Sequence, residues 1–421
     1  MQRDRESDIG LIRVSRYRPA PQPPPHPPTP MTRVIPAFRL PRCPSERCPV
    51  FQRPGRIKRL YRALAVLALT VAVSAPGTVA FGDSVHHPGP PLRPWVKSCL
   101  RHRGPAGLVN CLSFFAKHDR PKALQPRLAI DELATPTADS APVGITAGPD
   151  GALWFTENAA DAVGRVTTTG TFTEFSVPTS GAGPAEITVG PDGALWFTES
   201  STDKIGRITT GGSVTEYALP TSGAYPWGIT VGPDGALWFA EPGAGNVGRI
   251  TTGGSVTEYA VPTSGAYPVS ITAGPDGALW FTELLSGSIG RITTGGSVTE
   301  YAVPSLDSLP VGITTGPDGA LWFTDAGAAQ IGKVTTAGNF TGYDLTDSVF
   351  PFPWGITTGP DGALWFTENA GNDIGRITTS GTISELSIPT SGSNPLEITT
   401  GSDDNLWFTE NSASQIGRVT P

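Results

Sequence analysis

The sequence predicts an all-β fold, a seven-bladed β-propeller of four-stranded antiparallel blades that is closed by an N-terminal strand completing the last blade. The phrase GPDGALWFTE occurs seven times in close variants, with tryptophan spacings of 42, 42, 42, 42, 43 and 42 residues. A period of this length is typical of propellers and other repeat folds. In addition, each repeat contains four short strand-like segments, except the last, which lacks its fourth. The seven tryptophans are Trp154, Trp196, Trp238, Trp280, Trp322, Trp365 and Trp407.

The third repeat, residues 225–262, illustrates how one repeat makes one blade. The first two strands are joined by a Gly-Pro-Asp-Gly turn and the last two by a Gly-Gly hairpin, because proline and glycine favour these turns. Leu237, Trp238 and Phe239 are apolar in succession, which indicates a strand covered on both faces. The repeated tryptophans are therefore predicted to form the core between blades. The four strands are predicted at residues 227–231, 236–241, 247–252 and 256–261.

A two-residue Gly-Gly loop also predicts the register of the last two strands. With Gly211 and Gly212 as the loop, Arg207 would lie directly opposite Glu216. Opposite charges across a strand pair stabilise a sheet by about 0.2 to 1 kcal/mol. The fifth repeat would lack this pair, because its lysine would face a glycine. The same count gives the pairs Arg165–Glu174, Arg249–Glu258, Arg291–Glu300 and Arg376–Glu385, and sets Lys333 opposite Gly342.

The ring is predicted to close through a segment that precedes the first repeat. The last repeat ends after its third strand, at residues 416–420, so its fourth strand must come from elsewhere. Residues 130–142 align without a gap with residues 214–226, which include a fourth strand. Residues 130–135 are therefore predicted as the missing outer strand, with Glu132 opposite Arg418. This closure leaves no open sheet edge of the kind that invites aggregation.

The charge is divided unevenly along the chain. Residues 127–421 carry nine Lys and Arg against 31 Asp and Glu, a net charge of −22, whereas residues 1–126 carry 21 against six, a net charge of +15. Nucleic acids and anionic membranes bind positive surfaces, so neither is an expected partner of the repeats. We expect small neutral or cationic ligands or metal ions, and a monomer.

The N-terminal part predicts export rather than a further folded domain. Residues 1–55 are rich in Pro and Arg and predict either a disordered extension or a segment ahead of the true translation start. Residues 56–80 run from basic to apolar to small residues, the order of a secretory signal peptide, and their apolar stretch is too short to span a bilayer. Residues 81–126 form a basic, Pro-rich connector in which Cys99 and Cys111 either form a small disulfide loop or stay unpaired. We therefore expect a secreted protein whose mature form has no membrane span.

One rim of the propeller is predicted to carry an acidic residue from every blade. The first strand of a blade lines the central channel, and its start lies beside the end of the second strand because the two are antiparallel. Seven copies of one acid exceed what a binding site needs, so we expect most of these carboxylates to accept hydrogen bonds from neighbouring loops. They are Glu157, Glu199, Glu241, Glu283, Asp325, Glu368 and Glu410.

A functional site is better indicated by the two residues that follow the proline at the start of each first strand, because these residues vary between repeats. Two blades place a carboxylate there, Glu186 and Glu397. Carboxylates at a channel mouth either bind a divalent cation or form part of a solvated rim. Aromatic side chains on the same rim either grip a flat apolar ligand or pack the rim itself. These aromatic residues are Tyr225, Trp227, Tyr267, Phe352 and Trp354.

The run PxGITxGPDGALWFTE, followed by IGRITT and TEYxLP, closely resembles the virginiamycin B lyases, also called streptogramin lyases, over residues 127–421. The resemblance implies a seven-bladed propeller that binds Mg²⁺ on its rim and opens a cyclic depsipeptide antibiotic by elimination at its ester linkage, without water. It also implies that the metal-linked glutamate belongs to the WFTE phrase, which gives Glu368 and Glu410 as metal candidates. The family's catalytic base is a histidine directly after the proline of the PxG motif.

This chain has no histidine in any of its seven PxG positions, and all its histidines precede the repeats. Elimination needs a group that accepts a proton near neutral pH. Trp227 and Trp354, which occupy that position in two blades, cannot, whereas a buried carboxylate with a raised pKa would be able to. The candidates are Glu186 and Glu397. The histidines are His26, His86, His87, His102 and His118.

We therefore expect an exported propeller that binds a small-molecule ligand at its rim rather than one that carries out the family reaction. One alternative is a Mg²⁺-dependent lyase that opens a cyclic depsipeptide, or another cyclic ester, with a carboxylate as the base. The other alternative is a scaffold for protein contacts, which near-identical repeats also favour.

Overall fold

The structure, a computed structural model, describes residues 129–345 and 351–421. The predicted extension, signal peptide and connector, with Cys99 and Cys111, lie outside the described residues, so these assignments stay predictions. No helix among the described residues is long and apolar enough to cross a membrane.

Seven antiparallel sheets of four strands each confirm the predicted propeller. The closing strand is β1, Ile130–Ala134. Blades 1 and 2 contain β2 Pro142–Ala147, β3 Leu153–Glu157, β4 Ala162–Val166, β5 Phe172–Ser176, β6 Pro184–Val189, β7 Leu195–Glu199, β8 Lys204–Ile208 and β9 Val214–Ala218. Blades 3 and 4 contain β10 Ile229–Val231, β11 Leu237–Glu241, β12 Asn246–Ile250, β13 Val256–Ala260, β14 Pro268–Ala273, β15 Leu279–Glu283, β16 Ser288–Ile292 and β17 Val298–Ala302.

The remaining three blades follow the same order. Blades 5 and 6 contain β18 Pro310–Thr315, β19 Leu321–Asp325, β20 Gln330–Val334, β21 Phe340–Asp344, β22 Pro353–Thr358, β23 Leu364–Glu368, β24 Asp373–Ile377 and β25 Ile383–Ser387. Blade 7 contains β26 Pro395–Thr400, β27 Leu406–Glu410 and β28 Gln415–Val419, with β1 as its fourth strand. The first strand of each blade contacts the first strands of both neighbouring blades, and β2 contacts β26, so the seven first strands form a closed inner ring.

The repeated tryptophans form the core between blades, as predicted. Trp196 is fully buried and packs against Leu237 and Phe239 of the next blade, while its indole stacks on Tyr217 of its own blade at 5.5 Å. Phe197 lies opposite Gly206, where a Cβ atom would come within 2.1 Å of the phenyl ring. The glycine of the third strand is therefore required by the phenylalanine of the second.

The predicted closure of the ring is confirmed. Strand β1 pairs with β28 over five residues, from Ile130 opposite Val419 to Ala134 opposite Gln415. Leu133 packs against the core that contains Trp407, so the closing strand contributes to the contact between the last and first blades.

The residue predicted to face Arg418 was wrong by one position. Asp131 lies opposite Arg418, and their side chains form an ion pair of 2.5 Å. Glu132 lies opposite Gly417, and its Oε1 accepts a hydrogen bond of 2.8 Å from the backbone N–H of Thr390.

The predicted register of the third and fourth strands was also wrong by one residue. Ile208 lies opposite Val214, which places Thr215 rather than Glu216 opposite Arg207. The loop contains three residues, 210–212, and its last residue, Gly212, has a φ of +88° that only glycine adopts readily. The prediction of a two-residue loop was therefore wrong. The same shift separates the other predicted pairs, because each glutamate faces the glycine of the third strand instead of the arginine. The observed pairs are Glu174–Gly164, Glu258–Gly248, Glu300–Gly290 and Glu385–Gly375, and Gly342 faces Gly332 rather than Lys333.

The arginine of the third strand instead binds the aspartate of the Gly-Pro-Asp-Gly turn. Arg207 Nε lies 2.7 Å from Asp192 Oδ2, and Trp196 Nε1 donates a hydrogen bond of 3.0 Å to Asp192 Oδ1. Burial alone would raise the pKa of Asp192, but the hydrogen bonds from Trp196 and Arg207 lower it below its usual value. The turn aspartate therefore holds the core tryptophan and the surface arginine together.

Candidate functional site

The channel mouth lies where each first strand begins. In six blades the proline that starts the first strand pairs with the acid that ends the second, as Pro142 pairs with Glu157, and the register then shifts across the two variable residues. In blade 3 the strand is shorter than predicted, because β10 begins only at Ile229. The start of the first strand and the end of the second therefore share one rim, as the antiparallel pairing requires.

A cavity of about 130 Å³ opens at this rim. It brings together four of the side chains that the sequence singled out. Val269, Ser270 and Val311, which are also variable residues after a proline, complete its wall. The four predicted residues in the lining are Glu186, Trp227, Trp354 and Glu397.

Glu186 and Glu397 form a pair of carboxyl groups in the cavity wall. Both side chains are half-buried on the innermost strands, and Oε1 of Glu186 is buried without a hydrogen-bond partner among the described residues. Burial raises the pKa of Glu186 to about 8. Burial, and then the charge of Glu186, raise the pKa of Glu397 well above its usual value. At neutral pH the pair therefore keeps a proton, which lets it both donate and accept hydrogen bonds.

Four of the five predicted aromatic residues belong to one apolar cluster at the channel mouth. Trp354 is 6% exposed and lies in the cluster with Val269 and Val311. Trp227, Tyr267 and Phe352 are partly buried and pack against the same cluster. Tyr225 differs, because it is 56% exposed and lies outside it. That these residues bind a ligand stays a prediction.

Threonine hydroxyl groups fix the position of the cavity walls, a role that the sequence reasoning missed. Thr198 Oγ1 donates to the carbonyl of Trp227 at 2.8 Å, and Thr324 Oγ1 donates to the carbonyl of Trp354 at 2.6 Å. The same hydroxyl of Thr198 accepts a hydrogen bond of 3.0 Å from the backbone N–H of Glu186. The signal was present in the sequence, since six of the seven phrases read WFT and only the third, with Ala240, reads WFA.

The rim acids that end the second strands are all buried, but their partners differ between blades. The predicted hydrogen bonds from neighbouring groups occur for Glu199, Glu283 and Asp325, whose donors include the hydroxyl groups of Thr202 and Ser286. Three of the acids have no hydrogen bond of good geometry to either carboxylate oxygen among the described residues, although a serine or asparagine side chain lies beside each. These are Glu157, Glu241 and Glu410, each beside an outer-strand carboxylate, Glu174, Glu258 or Glu132.

Of the two metal candidates, one belongs to a group of carboxylates. Glu368, Asp373 and Glu385 each offer an oxygen, and these oxygens lie within 4.8 Å of one another. Carboxylate oxygens are the ligands that Mg²⁺ and Ca²⁺ prefer. Glu410 is absent from this group and lies beside Glu132 and Ser393 instead. The sequence had indicated neither Asp373 nor Glu385 as a metal ligand, and the assignment of a metal stays a prediction.

Three solved structures are close in fold and sequence, and a family model matches more than half of the chain. The model of the virginiamycin B lyase family matches residues 117–268 and 348–421. A streptogramin B lyase structure is 40% identical, with a TM-score of 0.67 over 70% of this chain and 97% of that chain. The virginiamycin B lyase of Staphylococcus aureus, crystallised with selenomethionine, has the same identity and TM-score over 70% of this chain and 100% of its own.

A further structure of the Staphylococcus aureus enzyme contains a ligand. It is a catalytically inactive histidine-to-alanine variant of that virginiamycin B lyase with quinupristin, again 40% identical, with a TM-score of 0.67 over 70% of this chain and 100% of that chain. Residues 129–421 of the present chain contain no histidine.

Proposed function

This chain belongs to the virginiamycin B lyase family, and on that premise we propose that it binds a small cyclic peptide or ester of the streptogramin B type at its channel mouth. The observation that supports the proposal is the single cavity that joins Trp227 and Trp354 to the carboxyl pair Glu186 and Glu397. Ligand sites commonly combine apolar walls with a few polar groups that fix orientation.

The size of the cavity defines how such a ligand would bind. A drug-sized ligand needs a pocket of roughly 300 Å³ or more, whereas this cavity measures about 130 Å³. One side chain of the ligand would therefore enter the cavity, and the rest of its ring would lie across the rim. Trp227, Tyr267 and Phe352 are partly buried there and offer apolar contact area.

Calorimetric titration with quinupristin tests this proposal, because a relative has been crystallised with this compound. The Trp227→Ala variant removes a cavity wall from a partly buried position, and we expect it to weaken binding at least tenfold, which corresponds to about 1.4 kcal/mol. Leu306→Ala is the control, since it removes an exposed apolar side chain that does not line the cavity, and it should change Kd less than threefold. Unchanged binding by Trp227→Ala would contradict the proposed site.

A second candidate function is the elimination reaction of the family with a carboxylate as base. The observation that favours it is the presence of two carboxyl groups, Glu186 and Glu397, in the cavity wall. Burial raises the pKa of Glu186 to about 8, and a base works best when its pKa is near the working pH. A carboxylate would take a proton from carbon, the electron pair would form a carbon–carbon double bond, and the ester C–O bond would break to release a carboxylate. Glu186 and Glu397 are the candidates for this role because both line the cavity.

The Mg²⁺ that the family resemblance implies fits the oxygen donors of Glu368, Asp373 and Glu385. These residues lie on the second, third and fourth strands of blade 6, whereas Glu186 and Glu397 lie on innermost strands. A bound cation would offset the repulsion between the three carboxylates.

Mass spectrometry after incubation with quinupristin, with and without Mg²⁺, distinguishes binding from turnover. The elimination proposal predicts a linear product from the unmodified protein and at least a hundredfold slower formation by Glu186→Gln or Glu397→Gln. Asp404→Asn is the control, because it removes a carboxylate from the turn at the opposite end of the same blade as Glu397. Intact quinupristin after incubation with the unmodified protein, with and without Mg²⁺, would exclude elimination of this substrate and leave binding as the proposed function.

We also propose that the protein is exported, on the basis of the signal-like order of residues 56–80. Recovery of the propeller from the culture medium, with an N-terminus near residue 81, is the expected result. Recovery from the cytoplasm of a chain that still contains residues 56–80 would contradict it.

A further inference from the structure

Most blades brace their outer strand through one repeated contact. The linker that enters a blade carries a threonine whose N–H and hydroxyl groups both donate to the outer-strand glutamate, as Thr179 does to Glu216 at 2.9 and 2.6 Å. The same pair of hydrogen bonds joins Thr137 to Glu174, Thr221 to Glu258 and Thr263 to Glu300. The glutamate side chain thereby fills the space between the linker and the blade.

Blade 5 lacks both residues of this brace. Gly342 stands at the position of the glutamate, and Ser305 stands at the position of the threonine. Ser305 Oγ instead donates to Gln330 Oε1 at 3.1 Å, and Gln330 Nε2 donates to Asp344. A cavity of about 330 Å³ occupies the space that the glutamate fills in other blades.

A buried carboxylate faces this cavity. Asp325 is 1% exposed, and its Oδ1 accepts hydrogen bonds from the backbone N–H groups of Leu309 at 2.8 Å and Ala328 at 3.1 Å. Its Oδ2 has no hydrogen bond of good geometry among the described residues, and the hydroxyl of Ser308, which has none either, lies beside the carboxylate. Burial raises the pKa of Asp325, and no neighbouring acid contributes to this shift. A buried carboxylate oxygen without a hydrogen-bond donor is costly, and a cationic donor would satisfy it.

The rest of the lining limits the chemical class of the ligand. Phe323 and Phe340 form an edge-to-face pair 6.1 Å apart in the wall, next to Val303 and Pro304. A bare Mg²⁺ or Ca²⁺ ion needs several oxygen ligands, and here apolar groups form much of the surface. An organic cation with a hydrocarbon chain fits a wall of one carboxylate and two aromatic rings better than a bare metal ion does.

We propose that this cavity in blade 5 binds a small primary ammonium ion with a short hydrocarbon chain. Its three N–H donors would reach Asp325 Oδ2, Gln330 Oε1 and Ser305 Oγ, and its chain would contact Phe323 and Phe340. The site is separate from the channel mouth, so it does not depend on the proposed function.

Saturation-transfer NMR and calorimetry with n-butylammonium test the proposal, with 1-butanol as the uncharged ligand of equal size. The protein is expected to bind the ammonium ion at least tenfold more tightly than the alcohol. Gly342→Glu restores the side chain that other blades have, and we expect it to lower affinity for n-butylammonium at least tenfold. The variant should fold, because a new Cβ atom at this position would meet only the end of the Gln330 side chain, at 2.8 Å.

Asp325→Asn is the second variant, and it should abolish the preference for the ammonium ion over the alcohol. Quinupristin binding should be unchanged in Gly342→Glu, since the two cavities share no lining residue. Absence of n-butylammonium binding, equal binding of 1-butanol, or undiminished binding by either variant would overturn the proposal.

Discussion

Deletion of residues 127–136 is expected to unfold the propeller, or to convert it to oligomers, at temperatures at which the undeleted protein is folded. The deletion removes β1, the fourth strand of blade 7, and exposes the edge of β28. It also removes Ile130 and Leu133, which are partly buried and pack against two core clusters, so each contributes part of the roughly 1.5 to 3 kcal/mol of a fully buried large apolar side chain. The loss of these contacts is large compared with the usual free energy of unfolding of a domain, about 5 to 15 kcal/mol.

Thermal unfolding combined with light scattering measures both expected effects of this deletion. A deletion of equal length, residues 117–126, is the matched control, and it should leave the melting temperature and the mass per particle unchanged relative to the full chain. A protein without residues 127–136 that melts like the control, with the same oligomeric state, would show that β1 does not hold the ring closed.

The free energy of unfolding is expected to fall by several kcal/mol as the pH rises from about 5 to about 9. Burial raises the pKa of the rim acids from 4.5 to about 7 for Glu157 and Glu199, and to about 8 for Glu241, Glu283 and Glu410. Between the unfolded and folded pKa values the folded state binds more protons, so each such group lowers the free energy of unfolding as the pH rises. The stability that these acids contribute in their protonated form is fully present below about pH 4.5. It is lost as the pH passes 7 to 8.

The aspartates of the Gly-Pro-Asp-Gly turns have the opposite pH dependence, because they lower the free energy of unfolding as the pH falls. Burial raises the pKa of Asp234, but hydrogen bonds from Trp238 and Arg249 lower it below its usual value overall. Such groups contribute stability above about pH 3.8 that is lost as the pH falls through their folded values. Maximum stability is therefore expected between about pH 4 and pH 5.

Urea denaturation across this pH range measures the dependence, and Glu241→Gln identifies its source. Neither carboxylate oxygen of Glu241 has a hydrogen bond of good geometry among the described residues, so the neutral isostere loses little there. The variant should be more stable than the unmodified protein at pH 9 and should show a shallower slope, while Asp404→Asn should follow the unmodified protein. Stability that stays constant or rises from pH 5 to pH 8 would contradict the assignment.

The sequence was sufficient for the architecture because that part depends on period and on strand pattern. Seven tryptophans set the number of blades, and the match between residues 130–142 and 214–226 identified the closing strand. The register failed because the conformation of one glycine, Gly212, decides whether the loop has two residues or three. That single residue determines whether an arginine faces a glutamate of the next strand or binds the turn aspartate.

The residues of the channel-mouth site could be predicted from the sequence, whereas the cavity in blade 5 could not. Variation after the repeated proline pointed to Glu186 and Trp354, and the inner ring of first strands brings such positions together. The lost side chain at Gly342 was also visible in the sequence. Its consequence, a cavity facing Asp325, was not predictable, because it depends on the linker that packs over the blade and on the true register.

A crystal structure of the propeller with quinupristin tests the central claim most directly. We expect electron density for the ligand across the rim between Trp227 and Trp354, with one of its side chains in the cavity beside Glu186 and Glu397. Ligand density at another surface, or an empty channel mouth at concentrations that saturate the protein in solution, would contradict the proposed site.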